Sequence, residues 1–226
     1  MTLNRPSCSC FSSSRVSAIH TEPQDIECDG WNHLLDLIDR TARSGATEFA
    51  PGVELGWESW WQIVTLPPSI AKLTSVKRLM LYGSNLDHIP PEIGEMESLE
   101  EFDPYTSYRL HWLPYEITRC SNLKSSRIST RALYGNYKFR HHFPRLHDNF
   151  DFLALATPTA CSVCRSPFDS QIVRRWISLD VATDVVPLLV NACSLACIDS
   201  LPVPPDNYVP IPHSGGSHIK QPPPRY

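Results

Sequence analysis

Apolar residues recur along the middle of this chain with a long period. The segments Leu66-Pro-Pro-Ser-Ile70, Ile89-Pro-Pro-Glu-Ile93 and Leu113-Pro-Tyr-Glu-Ile117 share one pattern and begin 23 and then 24 residues apart. Aligned on them, Leu73, Met96 and Cys120 coincide, as do Val76, Leu99 and Leu123. Leu79 and Phe102 match Ser126, while Leu81 and Ile128 match Pro104. Self-similarity at a period of roughly 20–29 residues marks chains that stack short units side by side. Each unit is predicted to hold one strand, over 77–81, 100–104 and 124–128, with alternate side chains turned inward. A Pro-initiated helical turn then carries the chain back, because proline lacks only a donor that a first turn leaves unpaired. One unit cannot bury its apolar stripe alone, so neighbours share a core. The competing reading, a chance recurrence of Pro-Pro-x-Ile, leaves the co-registered apolar positions unexplained.

The unit resembles the leucine-rich repeat, in the subtype running IPxxIGxLxxLxxLxLxxNxL, over roughly residues 55–135. The resemblance implies an α/β fold: a short solenoid with an N-terminal capping helix, whose open strand face binds other proteins. Such repeats act as scaffolds or adaptors in intracellular signalling. By the register above, Arg78, Met80, Tyr82, Asp103, Tyr105 and Arg127 face that open side. Aromatic and Arg side chains together suit a protein partner. Three departures stand out. The ladder residue, Asn in the family, is Ser84, Ser107 and Arg131, which predicts a weak or irregular polar ladder. Pro104 falls inside the second strand and predicts a distorted or very short one. Ser126 takes a core position in the third unit, which reads as a boundary.

The flanks divide the chain further. Residues 1–24 are polar and aperiodic and read as a disordered tail, and the lone C-x-C of Cys8 and Cys10 reads as part of it. Within 25–48, Trp31, Leu34, Leu35 and Ile38 recur at helical spacing after Asp29, with Gly45 past a basic last turn, so a capping helix over 29–43 follows. The repeats are assigned to 49–135, with Glu48 to Trp61 as a degenerate zeroth unit. Trp57, Trp60 and Trp61 can form an exposed binding patch or fill the gap between helix and first repeat. Residues 136–160 are a connecting loop. The stretch from Tyr134 to His147 mixes aromatic and basic residues, as base-stacking surfaces do, or covers the open end of the array. Residues 202–226 form a Pro-rich tail, expected to be extended and partly disordered.

Residues 161–201 hold the one constellation with chemistry. Cys161-Ser-Val-Cys164 and Cys193-Ser-Leu-Ala-Cys197 have 28 residues between them. Two close cysteine pairs fit one tetrahedral zinc site of four thiolates. Between them, 173–182 alternates as a strand does, 185–190 is a second apolar run, and a short helix is expected near 198–201. The layout is similar to a zinc ribbon or treble clef, although the second pair is C-x3-C and the spacer is long. Rival readings are unmetallated thiols, a redox pair or disulfides. A redox C-x-x-C wants a thioredoxin-like βαβ setting, which does not surround Cys161, and a RING-type ligase needs eight ligands. Four protein ligands leave no position for water, so a filled site is structural.

Bulk properties narrow the function. A formal net charge of −4 provides no basic field for nucleic acid. No apolar run reaches the roughly 18–20 residues that span a bilayer, and no hydrophobic signal segment opens the chain, so a cytoplasmic, reducing setting is expected. There is no Gly-rich phosphate loop, G-x-S-x-G or H-E-x-x-H. The expectation is a non-enzymatic scaffold that binds a protein partner and carries structural zinc. The alternative is an enzyme or nucleic-acid-binding protein using the Cys-rich segment, with His141 or His142 as base to a cysteine.

Overall fold

The computed structural model describes residues 10, 17–20, 22–148, 158–169 and 171–225. Most of the predicted N-terminal tail, Cys8 included, lies outside them. Seven strands are defined among these residues: β1 (Glu48–Phe49), β2 (Arg78–Met80), β3 (Glu101–Asp103), β4 (Leu113–Pro114), β5 (Ser125–Ser126), β6 (Val173–Val181) and β7 (Asp184–Ala192). They form a mixed α/β architecture with two sheets. The first is parallel, in the order β1-β2-β3-β5, and the second is mixed, in the order β4-β7-β6.

The apolar alignment of the sequence is the register of the parallel sheet. Phe49 pairs with Leu79, Leu79 with Phe102, and Phe102 with Ser126. Phe49, Leu79 and Phe102 are buried in one row. The strands are shorter than predicted, but the backbone ladder outlasts them. Leu81 N–H donates to the Asp103 carbonyl and Gly83 N–H to that of Tyr105, both at 2.8 Å. Strand β3 stops at Asp103 because Pro104 has no N–H to offer. Between strands the chain returns through the 3₁₀ turns Pro68–Lys72, Pro91–Glu95 and Tyr115–Arg119. Each follows an extended proline, Pro67, Pro90 or Pro114. The turns pack closely: a Cβ on Gly94 would lie 2.7 Å from the Glu116 carbonyl oxygen.

A ladder of serine hydroxyls runs beside the parallel sheet. Ser84 Oγ donates to Ser107 Oγ at 2.7 Å, and Ser107 Oγ donates to the Leu81 carbonyl at 3.1 Å. The Ser84 N–H also donates to Ser107 Oγ, at 3.2 Å. The third rung is Ser129, which accepts from the Thr106 N–H at 2.8 Å, and not the exposed Arg131. The ladder is built from the shortest hydroxyl and is irregular at its last rung, which meets Thr106 and not Ser107.

Both ends of the sheet are covered. Helix α1 (Asp29–Ser44) buries Leu34, Leu37 and Ile38 against the first units and ends at Gly45, whose φ of 64° is the left-handed closure that favours glycine. Trp60 is fully buried beside it, whereas Trp57 is exposed, so the tryptophan cluster divides between the two roles. At the far end the β6–β7 hairpin takes the place expected of the connecting loop. Ser126, the odd serine in the apolar row, donates to the Val181 carbonyl at 3.0 Å and to Asp184 Oδ2 at 2.9 Å in the hairpin turn. A hydroxyl serves there because the neighbour is a turn with open polar groups. Residues 161–201 accordingly do not stand apart: β7 pairs with β4, Leu113 opposite Leu188, and one continuous core runs from Leu34 to Ile198.

A second cluster is aromatic. Trp112, Tyr134 and Phe143 surround Trp176 with ring centroids 5.7–6.0 Å away. The rings that looked available for base stacking are thus largely core, with Phe139 the exposed exception. The Pro-rich tail closes this cluster and is extended but packed. His213 exchanges two backbone hydrogen bonds with Trp176 at 2.8 and 3.0 Å, and Arg225 N–H donates to Tyr137.

Two predictions follow from this packing. Ser107→Ala leaves a buried N–H and a buried carbonyl without their partner and should lower unfolding free energy by about 1–3 kcal/mol in urea titration. His213 is buried against Phe143, and burial pulls its pKa from 6.5 down to about 4. The fold holds it neutral while the unfolded chain takes up a proton. Its contribution is therefore complete above pH 6.5 and is lost as pH falls towards 4, on the order of 3 kcal/mol in all. Trp176 fluorescence should report the tail loosening across that window, and His213→Phe should remove the transition.

Candidate metal centre

The hairpin fixes the two cysteine pairs. Cys193 follows directly on β7, and Ser194 caps the short helix Leu195–Asp199 by accepting from the Cys197 N–H at 3.3 Å. That single turn puts Cys193 and Cys197 on one side. Cys161 and Cys164 sit in a tight knuckle, closed by Cys161 N–H donating to Ser166 at 2.8 Å and Arg165 N–H to Cys161 at 3.0 Å. Arg165 takes a left-handed φ of 63° to complete it. Ser162 then ties knuckle to strand: its N–H donates to the Asn191 carbonyl at 2.7 Å, and its hydroxyl accepts from the Asn191 N–H at 2.9 Å.

The four sulfurs come together as the spacing predicted, all within 4.8 Å of one another. Cys164 Sγ lies 3.5 Å from Cys193 Sγ, which lies 3.6 Å from Cys197 Sγ. Thiolates about 2.3 Å from a tetrahedral zinc ion stand roughly 3.8 Å apart, so the cluster has the dimensions of a four-thiolate site. Cys161 is buried and already accepts from the N–H groups of Val163 (3.4 Å) and Cys193 (3.3 Å). Cys164 is the exposed member. The Ser166 hydroxyl, then its N–H and the Cys193 thiol, hold the Cys164 pKa down at about 6. Cys193, donating first to Cys164 and then to Cys197, is pushed up to about 12. Negative charge thus enters the cluster at its open edge, and a cation would draw off the remaining protons. The four cysteines can bind a metal ion such as zinc.

Cys120 lies outside this group. Buried in the core, with its thiol pushed up to about 12 chiefly by burial, it donates to the Ile93 carbonyl at 3.2 Å. His141 and His142 are not members of either group of clustered potential metal ligands among the described residues. One such group was missed by the sequence reading: Cys10, His20 and His111 also lie within 4.8 Å of one another. Their separations of 10 and 91 residues follow no ligand spacing, and the only hint was the C-x-C that had been assigned to the tail.

The outward-facing set splits. Arg78, Tyr82, Tyr105 and Arg127 are exposed and Met80 half-buried, but Asp103 is buried at 2% exposure. Asp103 accepts from the Tyr105 N–H at 3.0 Å and sits 3.5 Å from Arg127, so it is covered by residues of the same face. Among the described residues no helix is long and apolar enough to cross a membrane. No protein-family model matches the chain, and no curated protein matches it significantly.

Chelation or Cys164→Ser should make residues 158–201 protease-sensitive. Because the hairpin covers Ile117 and Cys120, the same treatment should also lower the thermal midpoint of the whole domain. Unchanged proteolysis and melting on chelation would mean that the cysteines act as thiols.

Proposed function

We propose that this chain is a non-enzymatic protein-interaction scaffold, a short leucine-rich repeat solenoid whose strand face recognises a protein partner and whose far end is stapled by structural zinc. The repeat reading is supported by strand registers that reproduce the 23- and 24-residue spacing, by the Pro-led turns and by the serine ladder. Zinc is favoured over other ions because thiolate ligands in a tetrahedral set suit it and it brings no redox chemistry. The reducing, cytoplasmic setting expected from the sequence belongs to the same proposal.

The carrying observation is an exposed aromatic stripe beside β2 and β3. Tyr82 and Tyr105 stack at an angle with centroids 6.1 Å apart, and the Arg127 guanidinium lies 4.8 Å from the Tyr105 centroid. Tyr108, three residues on from Tyr105, is also exposed, at 50%. Arg78 flanks it, already paired with Glu48 at 2.8 Å and Glu101 at 3.1 Å. Tyrosine and arginine dominate interaction hot spots because they bring large rigid area and a polar tip at low entropic cost. The backbone beneath is held by the parallel ladder, so the rings are presented with little freedom to lose.

The double variant Tyr82→Ala/Tyr105→Ala should keep the far-ultraviolet spectrum and melting temperature of the parent. Its affinity for a partner recovered by cross-linking to the parent should fall by about 30-fold or more, the cost of truncating a hot spot of about 2 kcal/mol. Equal affinity of parent and variant would defeat the assignment of this face.

A further inference from the structure

The second ligand group joins Cys10 and His20, near the start of the chain, to His111, two positions before β4. Cys10 Sγ lies 3.4 Å from His20 Nε2 and 3.8 Å from its Nδ1. A thiolate at about 2.3 Å and an imidazole at about 2.0–2.1 Å on one tetrahedral ion stand roughly 3.6 Å apart, between those two values. The His20 and His111 rings stack at 19° with centroids 5.1 Å apart, which brings a second imidazole to the same point.

His111 carries the orientation that a metal ligand needs. It is 1% exposed, and its Nδ1 stands 2.6 Å from the Ala132 carbonyl oxygen. A carbonyl only accepts, so the ring proton is on Nδ1 and Nε2 is the ligating atom. An imidazole fixed by a backbone carbonyl in this way is the usual outer support of a metal-bound histidine. The segment bearing His20 is placed by contacts independent of any ion. Ile19 is buried in the aromatic cluster, and the Tyr134 hydroxyl donates to the Ala18 carbonyl at 2.8 Å.

We propose that Cys10, His20 and His111 bind a second metal ion of the zinc class, which fastens the N-terminal segment onto the body of the protein. One thiolate with two imidazoles is a borderline-soft donor set that suits zinc. The three donors leave one position of a tetrahedral ion for a further donor. The ion bridges parts of the chain 91 residues apart, so its binding energy adds directly to the docking of that segment.

Metal content of the purified full-length chain, measured by mass spectrometry after exhaustive dialysis, tests this. The unaltered chain should hold about two zinc ions, Cys10→Ser and His20→Gln about one each, with the remaining ion lost when Cys164→Ser is added. Both variants sit on the N-terminal segment, outside the main core, and should leave the far-ultraviolet spectrum unchanged. Cobalt loaded into Cys164→Ser should show a charge-transfer band of single-thiolate strength that vanishes in Cys10→Ser/Cys164→Ser. If the unaltered chain holds one ion that Cys10→Ser abolishes and Cys164→Ser retains, this site stands and the four-cysteine staple fails. If metal content is the same in the unaltered chain, Cys10→Ser and His20→Gln, the second site is wrong.

Discussion

The row Phe49, Leu79, Phe102 crosses three parallel strands of two or three residues each, and every ring or isobutyl group in it is buried only while its neighbours are present. Strands this short make too few hydrogen bonds to persist singly. Burial of the shared row, at about 25 cal/mol per Å² of apolar surface, supplies what the ladder cannot. The remaining architecture answers that constraint. Prolines pre-set the returns between strands, Gly94 lets two turns approach, and serines satisfy the backbone where the chain bends away.

A row of this kind has two ends, and each is an apolar surface that must be covered. Helix α1 does so on one side with Leu34, Leu37 and Ile38. On the other side the β6–β7 hairpin does so, and the four thiols sit where its strand ends. The cysteine cluster and the strand face therefore belong to one mechanical unit. On the scaffold reading, metal occupancy at the hairpin would alter the rigidity of the sheet that presents Tyr82 and Tyr105, through Ser126 and the β4–β7 pairing.

The parts legible in the sequence were those with local periodic signals. The apolar alignment returned the strand register, the spacing of Trp31, Leu34 and Ile38 returned α1 to within a residue at its end, and two cysteine pairs returned the thiol cluster. What escaped depended on contacts between distant segments. Alternation places Asp103 on the open face, but its burial there under a bond from the Tyr105 N–H and contact with Arg127 is not something alternation encodes. Ser129, not Arg131, forms the third rung because the last unit is two residues out of step with the alignment. The prolines of the tail encode its extended backbone, but not the pairing of His213 with Trp176 or its packing on Phe143. The group of Cys10, His20 and His111 has no period at all.

The pairing of Leu113 with Leu188 spans 75 residues of chain. A ribosome makes the protein from its N-terminus, so the inner units emerge and collapse while the hairpin that seals them is still inside the exit tunnel or unmade. During that interval Ile117 and Cys120 form a sticky ledge open to other nascent chains. Contacts so distant in sequence are also the slowest to close. Helper proteins that shield newly made apolar surface are therefore most needed by this chain between the synthesis of Leu113 and that of Leu188.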